Sequence, residues 1–246
     1  MNRLDLIAIT DAVAPELVPM PRDASDVCPF CRTGKAQGAT ACRSCEIVMA
    51  QVDQPCRPVI PISYYRTPSA LRGRMHDYKE SPDSDIRLAQ SRIVGGILTR
   101  YISEHGDALA EAFGDWDEVV AVPSTKHPRP SALALALSAD YSDLIDPVEW
   151  LTRGIGSMRF NQASESGFVP TADIDGSSVL LIDDTFTTGA RMHSAAHALQ
   201  SAGAHVVAGV VVARKINPDP KYFTDELWDR QSEIPFVFSD PPWWIT

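Results

Sequence analysis

At 246 residues the chain has the length for one sizeable domain and a small appendage. Its formal net charge of −10 argues against a protein that coats nucleic acid, because a phosphate backbone is held by a surplus of cations. The longest apolar run, about Val206 to Ala213, falls well short of the roughly 20 residues that span a bilayer. Asp5 and Asp11 interrupt the apolar start of the chain, unlike a secretory signal. The resulting expectation is a cytoplasmic protein without a membrane partner.

In chain order, residues 1–22 read as a short amphipathic helix and extension. Residues 23–60 hold four of the five cysteines as two close pairs, Cys28 with Cys31 and Cys42 with Cys45, ten residues apart. Each pair can close on one ion from a tight turn, and two such turns complete a tetrahedral thiolate site. Two disulfides are the competing arrangement, disfavoured in a reducing compartment. The expectation is a structural Zn2+ in a ribbon that turns at Gly34 and Gly38. Arg32, Lys35 and Arg43 make the ribbon mildly basic, but Phe30 is its lone aromatic residue. A structural or partner-docking role therefore suits it better than direct nucleic-acid binding. Cys56 is expected to be an ordinary free thiol. Pro55, Pro58 and Pro61 then read as a stiff linker.

Residues 61–214 carry an α/β pattern. Leu71, Met75 and Tyr78 recur at helical spacing, with Arg72, Arg74, His76 and Lys79 on the solvated side. Ser81, Pro82 and Asp83 resemble a capped helix start, and Ile86, Ala89, Ile93, Ile97 and Tyr101 are expected to form the packed face of a long helix. Val119 to Val122 read as a buried strand, followed by a polar loop with Ser124, Thr125, Lys126, His127 and Arg129. The run SALALALSAD alternates like a strand, but its alanines and the preceding proline favour helix. Residues 151–168 look like a long loop or a pair of short ladder strands, with Arg159, Asn161 and Gln162 best able to meet a ligand.

The stretch VLLIDDTFTTGAR, Val179 to Arg191, organises the rest. Val179 to Ile182 form a continuous apolar run of the kind found in a sheet covered on both faces. Asp183 and Asp184 follow at the strand's carboxyl end, where open parallel sheets bind ligands. After the turn, Met192, Ala195, Ala196, Leu199 and Ala202 recur at helical spacing. Free amides at a helix N-terminus favour an anion, so one end of the turn suits a phosphate and the other suits hydroxyls. The plain alternative is an acid pair that merely caps a helix. HVVAGVVVAR is a further apolar strand, beginning at the sheet edge. In the tail, residues 215–246, Phe223, Leu227 and Trp228 are expected to form a docking helix, and the closing PPWWIT to pack on the domain or a partner.

VLLIDDTFTTGAR resembles the motif that binds phosphoribosyl pyrophosphate (PRPP) in type I phosphoribosyltransferases. The four-cysteine ribbon, the Tyr78–Lys79 pair before a long helix and the VPSTKHPR loop narrow the resemblance to the ComF/GntX-type members, over roughly Asp26 to Arg214. The resemblance implies a parallel sheet flanked by helices. It assigns the ribose to Asp183 and Asp184, and the 5′-phosphate to Thr185, Phe186, Thr187, Thr188, Gly189, Ala190 and Arg191. It assigns the leaving pyrophosphate to Ser124, Thr125, Lys126 and Arg129, and places Lys79, Arg159 and Asn161 at a lid or substrate edge. Mg2+ would ride on PRPP. The family usually closes the phosphate loop with a hydroxyl residue where this chain has Arg191. Two functions follow: transfer of phosphoribose to a nucleobase-like or other acceptor, or a catalytically silent PRPP- or nucleotide-binding adaptor in DNA uptake or nucleotide metabolism.

Overall fold

The computed structural model describes residues 2–22, 25–124, 131–217, 219 and 222–245. The chain runs through α1 (Arg3–Val13), α2 (Arg43–Met49), β1 (Val59–Tyr65), α3 (Ala70–Glu80), α4 (Ser84–Phe113) and β2 (Glu118–Ala121). It continues through α5 (Ala132–Asp140), β3 (Leu151–Arg153), β4 (Phe168–Pro170), β5 (Ser178–Phe186), α6 (Ala190–Ser201), β6 (His205–Lys215) and α7 (Asp225–Ser232). Four strands make a parallel sheet in the order β1-β6-β5-β2, and β3 and β4 form a separate antiparallel pair.

Both faces of the sheet are covered, which is why Val179 to Ile182 of β5 and Val206 to Ala213 of β6 are continuous apolar runs. Successive side chains of a strand face opposite ways. Leu180 and Ile182 of β5 join Ile60, Ile62, Val210 and Val212 in the core beneath α1, α3, α4 and α5. Val179 and Leu181 join Val59 and Val211 on the other face, against Met192, Ala195 and Leu199 of α6. The four cysteines are buried in that second core, so the ribbon packs directly on the sheet.

Several local readings are corrected. The proline-rich stretch around Pro61 is no linker: it is β1, whose Pro61 lies opposite Val211 of β6. An edge strand tolerates proline because one of its sides needs no ladder donors. β6 lies inside the sheet between β1 and β5, not at an edge, which accounts for its apolarity. The cap of α4 is Asp83, whose carboxylate accepts from the Asp85 and Ile86 amides, while Ser81 closes α3. Ile86 and Ala89 are exposed, because a helix of 30 residues spans roughly 45 Å and outruns the short strands beneath it. Its packed face starts at Val94.

Each outer strand also meets a short segment from elsewhere. Val18 bridges to Tyr64 of β1, and Val148 bridges to Val120 of β2. In the tail, Leu227 and Trp228 are buried on α7, but Phe223 is 56 % exposed and does not join them. Trp244 packs edge-on against Phe113 at 5.6 Å, and the Arg32 guanidinium lies 4.2 Å from the Trp243 ring centre, so the two tryptophans pack on the domain. No helix among the described residues is long and apolar enough to cross a membrane.

Truncating a side chain at the centre of this two-faced sheet leaves a void that neither helical layer can fill. Leu181→Ala, at a site with no solvent exposure, is expected to cost about 2–5 kcal/mol in urea unfolding. Leu135→Ala, on the half-exposed face of α5, should change stability by less than about 0.5 kcal/mol.

Candidate functional site

The alternation along β5 separates the two acids. Asp184 continues the row of Leu180 and Ile182 and therefore meets α3. The Tyr78 hydroxyl donates to Asp184 Oδ2, and the Lys79 ammonium pairs with the same oxygen. Asp183 continues the row of Val179 and Leu181 and meets α6. Arg191 Nη2 donates to its Oδ1 at 2.6 Å and its Oδ2 at 2.5 Å. Both acids are nearly solvent-free, at 5 % and 2 % exposure. Burying a carboxylate costs several kcal/mol unless a partner compensates, and Lys79 with Arg191 balances the pair charge for charge. Burial, with Asp183 nearby, holds the Tyr78 phenol well above its ordinary range, so it stays protonated and donates. Asp184 Oδ1 is buried and makes no hydrogen bond among the described residues; Arg191 Nη2 lies 3.7 Å from it, so Arg191 faces both acids at the sheet's carboxyl edge.

β5 runs to Phe186 rather than stopping at Ile182. Thr185 is thus a ladder residue opposite Ala213, and Phe186 is buried, edge-on to His193 at 5.9 Å. The turn itself is Thr187, Thr188 and Gly189, and α6 opens at Ala190 with no side-chain cap, so its first amides are not taken by a capping side chain. Gly189 has φ 89°, and a Cβ there would lie 2.5 Å from Phe186 Cζ. Only glycine fits.

A cavity of about 390 Å3 opens over this turn, lined by Lys79, Met158, Arg159, Phe160 and the run from Asp183 to Met192. Its roof is the segment between β3 and β4. Arg153 donates to the carbonyls of Gly167 at 2.5 Å and Gly156 at 2.6 Å, folding that segment back on itself. Arg159 reaches the cavity. Asn161 does not line it and acts through its backbone: its amide donates to Thr188 Oγ1 at 3.3 Å and its carbonyl accepts from Gln51 at 3.0 Å. Ser124 lines a small recess with Tyr78, Lys79, Asp183, Asp184 and Arg191. Thr125, Lys126 and Arg129, with His127, lie outside the described residues.

A second cavity of about 430 Å3 adjoins the first. It shares Phe160, Thr187 and Thr188 with it, and adds Lys35, Arg43, Lys215, Asn217 and Tyr222.

The four cysteines are free thiols whose sulfurs all lie within 4.8 Å of one another. Cys31 and Cys42 are 3.7 Å apart. A tetrahedral zinc with Zn–S bonds near 2.3 Å has sulfur–sulfur edges of about 3.8 Å, so the cluster fits that ion. All four positions are filled by sulfur, which leaves none open for catalysis. Cys56 stands apart, its thiol pushed up to about 12 by burial.

Two contacts at the candidate site are not legible in the sequence. Tyr78 is buried as its spacing foretells, but its hydroxyl reaches Asp184. Arg214, read only as the end of an apolar strand, bonds both Cys31 and the turn after β5. Its signal was a charge following directly on the apolar run Val206 to Ala213 within one strand.

The phosphoribosyl transferase domain family matches residues 99–242, more than half of the chain, and the chain belongs to that family. The match takes in β5, its turn and α6, and leaves out the cysteines and Lys79. Among curated proteins, none matches the chain.

Arg191 competes with any cation for Asp183. Arg191→Thr is expected to raise the affinity for Mn2+, followed by paramagnetic resonance, by about tenfold, since it removes a charge at contact distance. Burial lowers the His193 imidazole to about 4. Below its ordinary value of 6.5 the unfolded chain takes up a proton that the folded chain refuses, so stability falls as pH drops from about 6.5 to about 4. The loss is about 3 kcal/mol, and His193→Gln should flatten that slope in urea titrations at stepped pH.

Proposed function

We propose that the chain binds Mg–PRPP and transfers its phosphoribosyl group to an acceptor, releasing pyrophosphate. The observation that carries this reading is the split acid pair beside an uncapped helix start at the carboxyl edge of β5. In it, Asp183 and Asp184 accept the ribose hydroxyls, and the amides from Thr187 to Arg191 hold the 5′-phosphate. Ser124 and the following Thr125, Lys126 and Arg129 receive the pyrophosphate. Mg2+ arrives on the substrate and offsets charge on the departing oxygens. The bond from the anomeric carbon to pyrophosphate breaks as the acceptor's lone pair forms the new one. No covalent nucleophile from the protein is needed; orientation and charge do the work.

The adjoining cavity supports a place for the acceptor. Its Phe160 and Tyr222 offer ring faces, and Asn217, Lys35 and Lys215 offer polar groups, a combination suited to a planar nucleobase-like molecule. The buried tetrathiolate cluster supports a structural Zn2+ held by Cys28, Cys31, Cys42 and Cys45, and with it the narrower assignment to the ComF/GntX type.

One contact favours the second reading, a binding adaptor without turnover. Arg191 already occupies Asp183, so the ribose must displace it before the acid can accept.

Calorimetric titration with Mg–PRPP tests the site. Each charge-assisted hydrogen bond contributes about 1.5–3 kcal/mol, so Asp183→Asn combined with Asp184→Asn should weaken binding by at least about a hundredfold. Equal, absent binding in both proteins would remove both readings. Binding that the double variant abolishes, without pyrophosphate release across a panel of nucleobases, selects the adaptor.

A further inference from the structure

Arg214 stands at the carboxyl end of β6, 3 % exposed, and touches two parts of the chain remote in sequence. Its Nη2 donates to Cys31 Sγ at 3.5 Å. Its Nη1 donates to the backbone carbonyls of Thr187 at 2.5 Å, Phe186 at 3.2 Å and Lys215 at 2.9 Å. The guanidinium also lies over the Phe186 ring, 4.9 Å from its centre. One rigid fork thus spans the cysteine cluster and the turn between β5 and α6.

A buried guanidinium needs a counter-charge. The thiols of Cys31, Cys42 and Cys45 face Arg214, as do the phenols of Tyr64 and Tyr65. Those sulfurs carry charge when they hold a metal: four thiolates around a divalent ion leave a net charge of about −2. Donors to such sulfurs fix ligand orientation and tune the centre. Without the metal nothing ties the four sulfurs to one centre, and the Cys31 end of the contact is no longer fixed. The planar fork cannot change its angle to sulfur without changing its hold on the Phe186 and Thr187 carbonyls.

We propose that Arg214 is a positioning residue that couples metal occupancy of the four-cysteine centre to the shape of the turn at Thr187–Gly189. This rests on the reading of that turn as the phosphate-holding loop. The metal-loaded centre keeps the turn in its binding shape, and loss of the metal releases it. By linkage, a ligand on the turn tightens metal binding by the same factor.

Hydrogen exchange at the amides of Thr187, Thr188, Gly189 and Ala190 tests the coupling without assuming a ligand. In the wild-type chain, removing zinc with a chelator should speed exchange there by about tenfold and weaken Mg–PRPP binding in proportion to the fraction of turns that leave the binding shape. Zinc-loaded Arg214→Lys, which keeps the charge but not the fork, should already exchange fast, and zinc removal should add less than about twofold. Zinc competition with a chromophoric chelator should show Mg–PRPP raising zinc affinity in the wild type and not in the variant. Turn exchange that ignores zinc in a folded wild type overturns the proposal, as does an Arg214→Lys protein with the full zinc dependence. Should the metal-free chain unfold, the zinc-loaded comparison decides: equal turn exchange in wild type and Arg214→Lys overturns it. A turn that responds to zinc in a chain that binds no PRPP would retire the ligand reading and leave the coupling standing.

Discussion

Two carboxylates placed next to each other on a strand buried on both faces set the terms for the whole molecule. Neighbouring residues of a strand face opposite layers, so each acid meets a cation from its own side, and Arg191 reaches across to Asp184 Oδ1 at 3.7 Å as well. α3 supplies Lys79 and Tyr78 for Asp184, and the first turn of α6 supplies Arg191 for Asp183. The acid pair consequently pins one helix from each side to the carboxyl end of β5. A ligand that takes hydroxyls to this pair exchanges with cations rather than water. The site is held ready and partly occupied by its own side chains.

The ribbon belongs to the same construction. The Val59 amide at the start of β1 donates to the Phe30 carbonyl at 3.1 Å. Gln51, just beyond α2, receives the Ala163 amide at 2.7 Å and donates to Asn161. His197 and Gln200 of α6 bond the carbonyls of Asp53 and Gln54 at 2.8 and 2.5 Å. The segment that carries the cysteines therefore braces both the back of α6 and the roof of the cavity. A metal that orders the ribbon orders two walls of the candidate site.

What could be read from the chain follows from how local the cause is. β5 and α6 were legible because an apolar run and a helical repeat are properties of adjacent residues. The cysteine pairs were legible for the same reason, their spacing being short and repeated. β1 was not, because Pro58 and Pro61 mimic a linker and only the partner strand β6 reveals an edge strand. Ser81 and Asp83 compete as caps within three residues, and the choice is settled by where α3 ends. Phe223 carries the apolar character expected of a docking face, yet the turn before α7 points it outward. Arg214 is the extreme case. Its partners lie 183 residues away at Cys31 and 27 away at Thr187, so no window along the sequence could join them.

Strand recruitment from a second molecule is the hazard that an open parallel sheet carries along its two margins. Here each margin is already engaged. The Tyr64 amide donates to the Val18 carbonyl at 2.8 Å, and the Ser63 hydroxyl accepts the Val18 amide at 2.9 Å. On the far side the Val148 amide donates to the Val119 carbonyl at 2.8 Å. On the β1 margin Pro61 offers no N–H to a further strand. A foreign strand laid along either border would meet a native segment at these bonds.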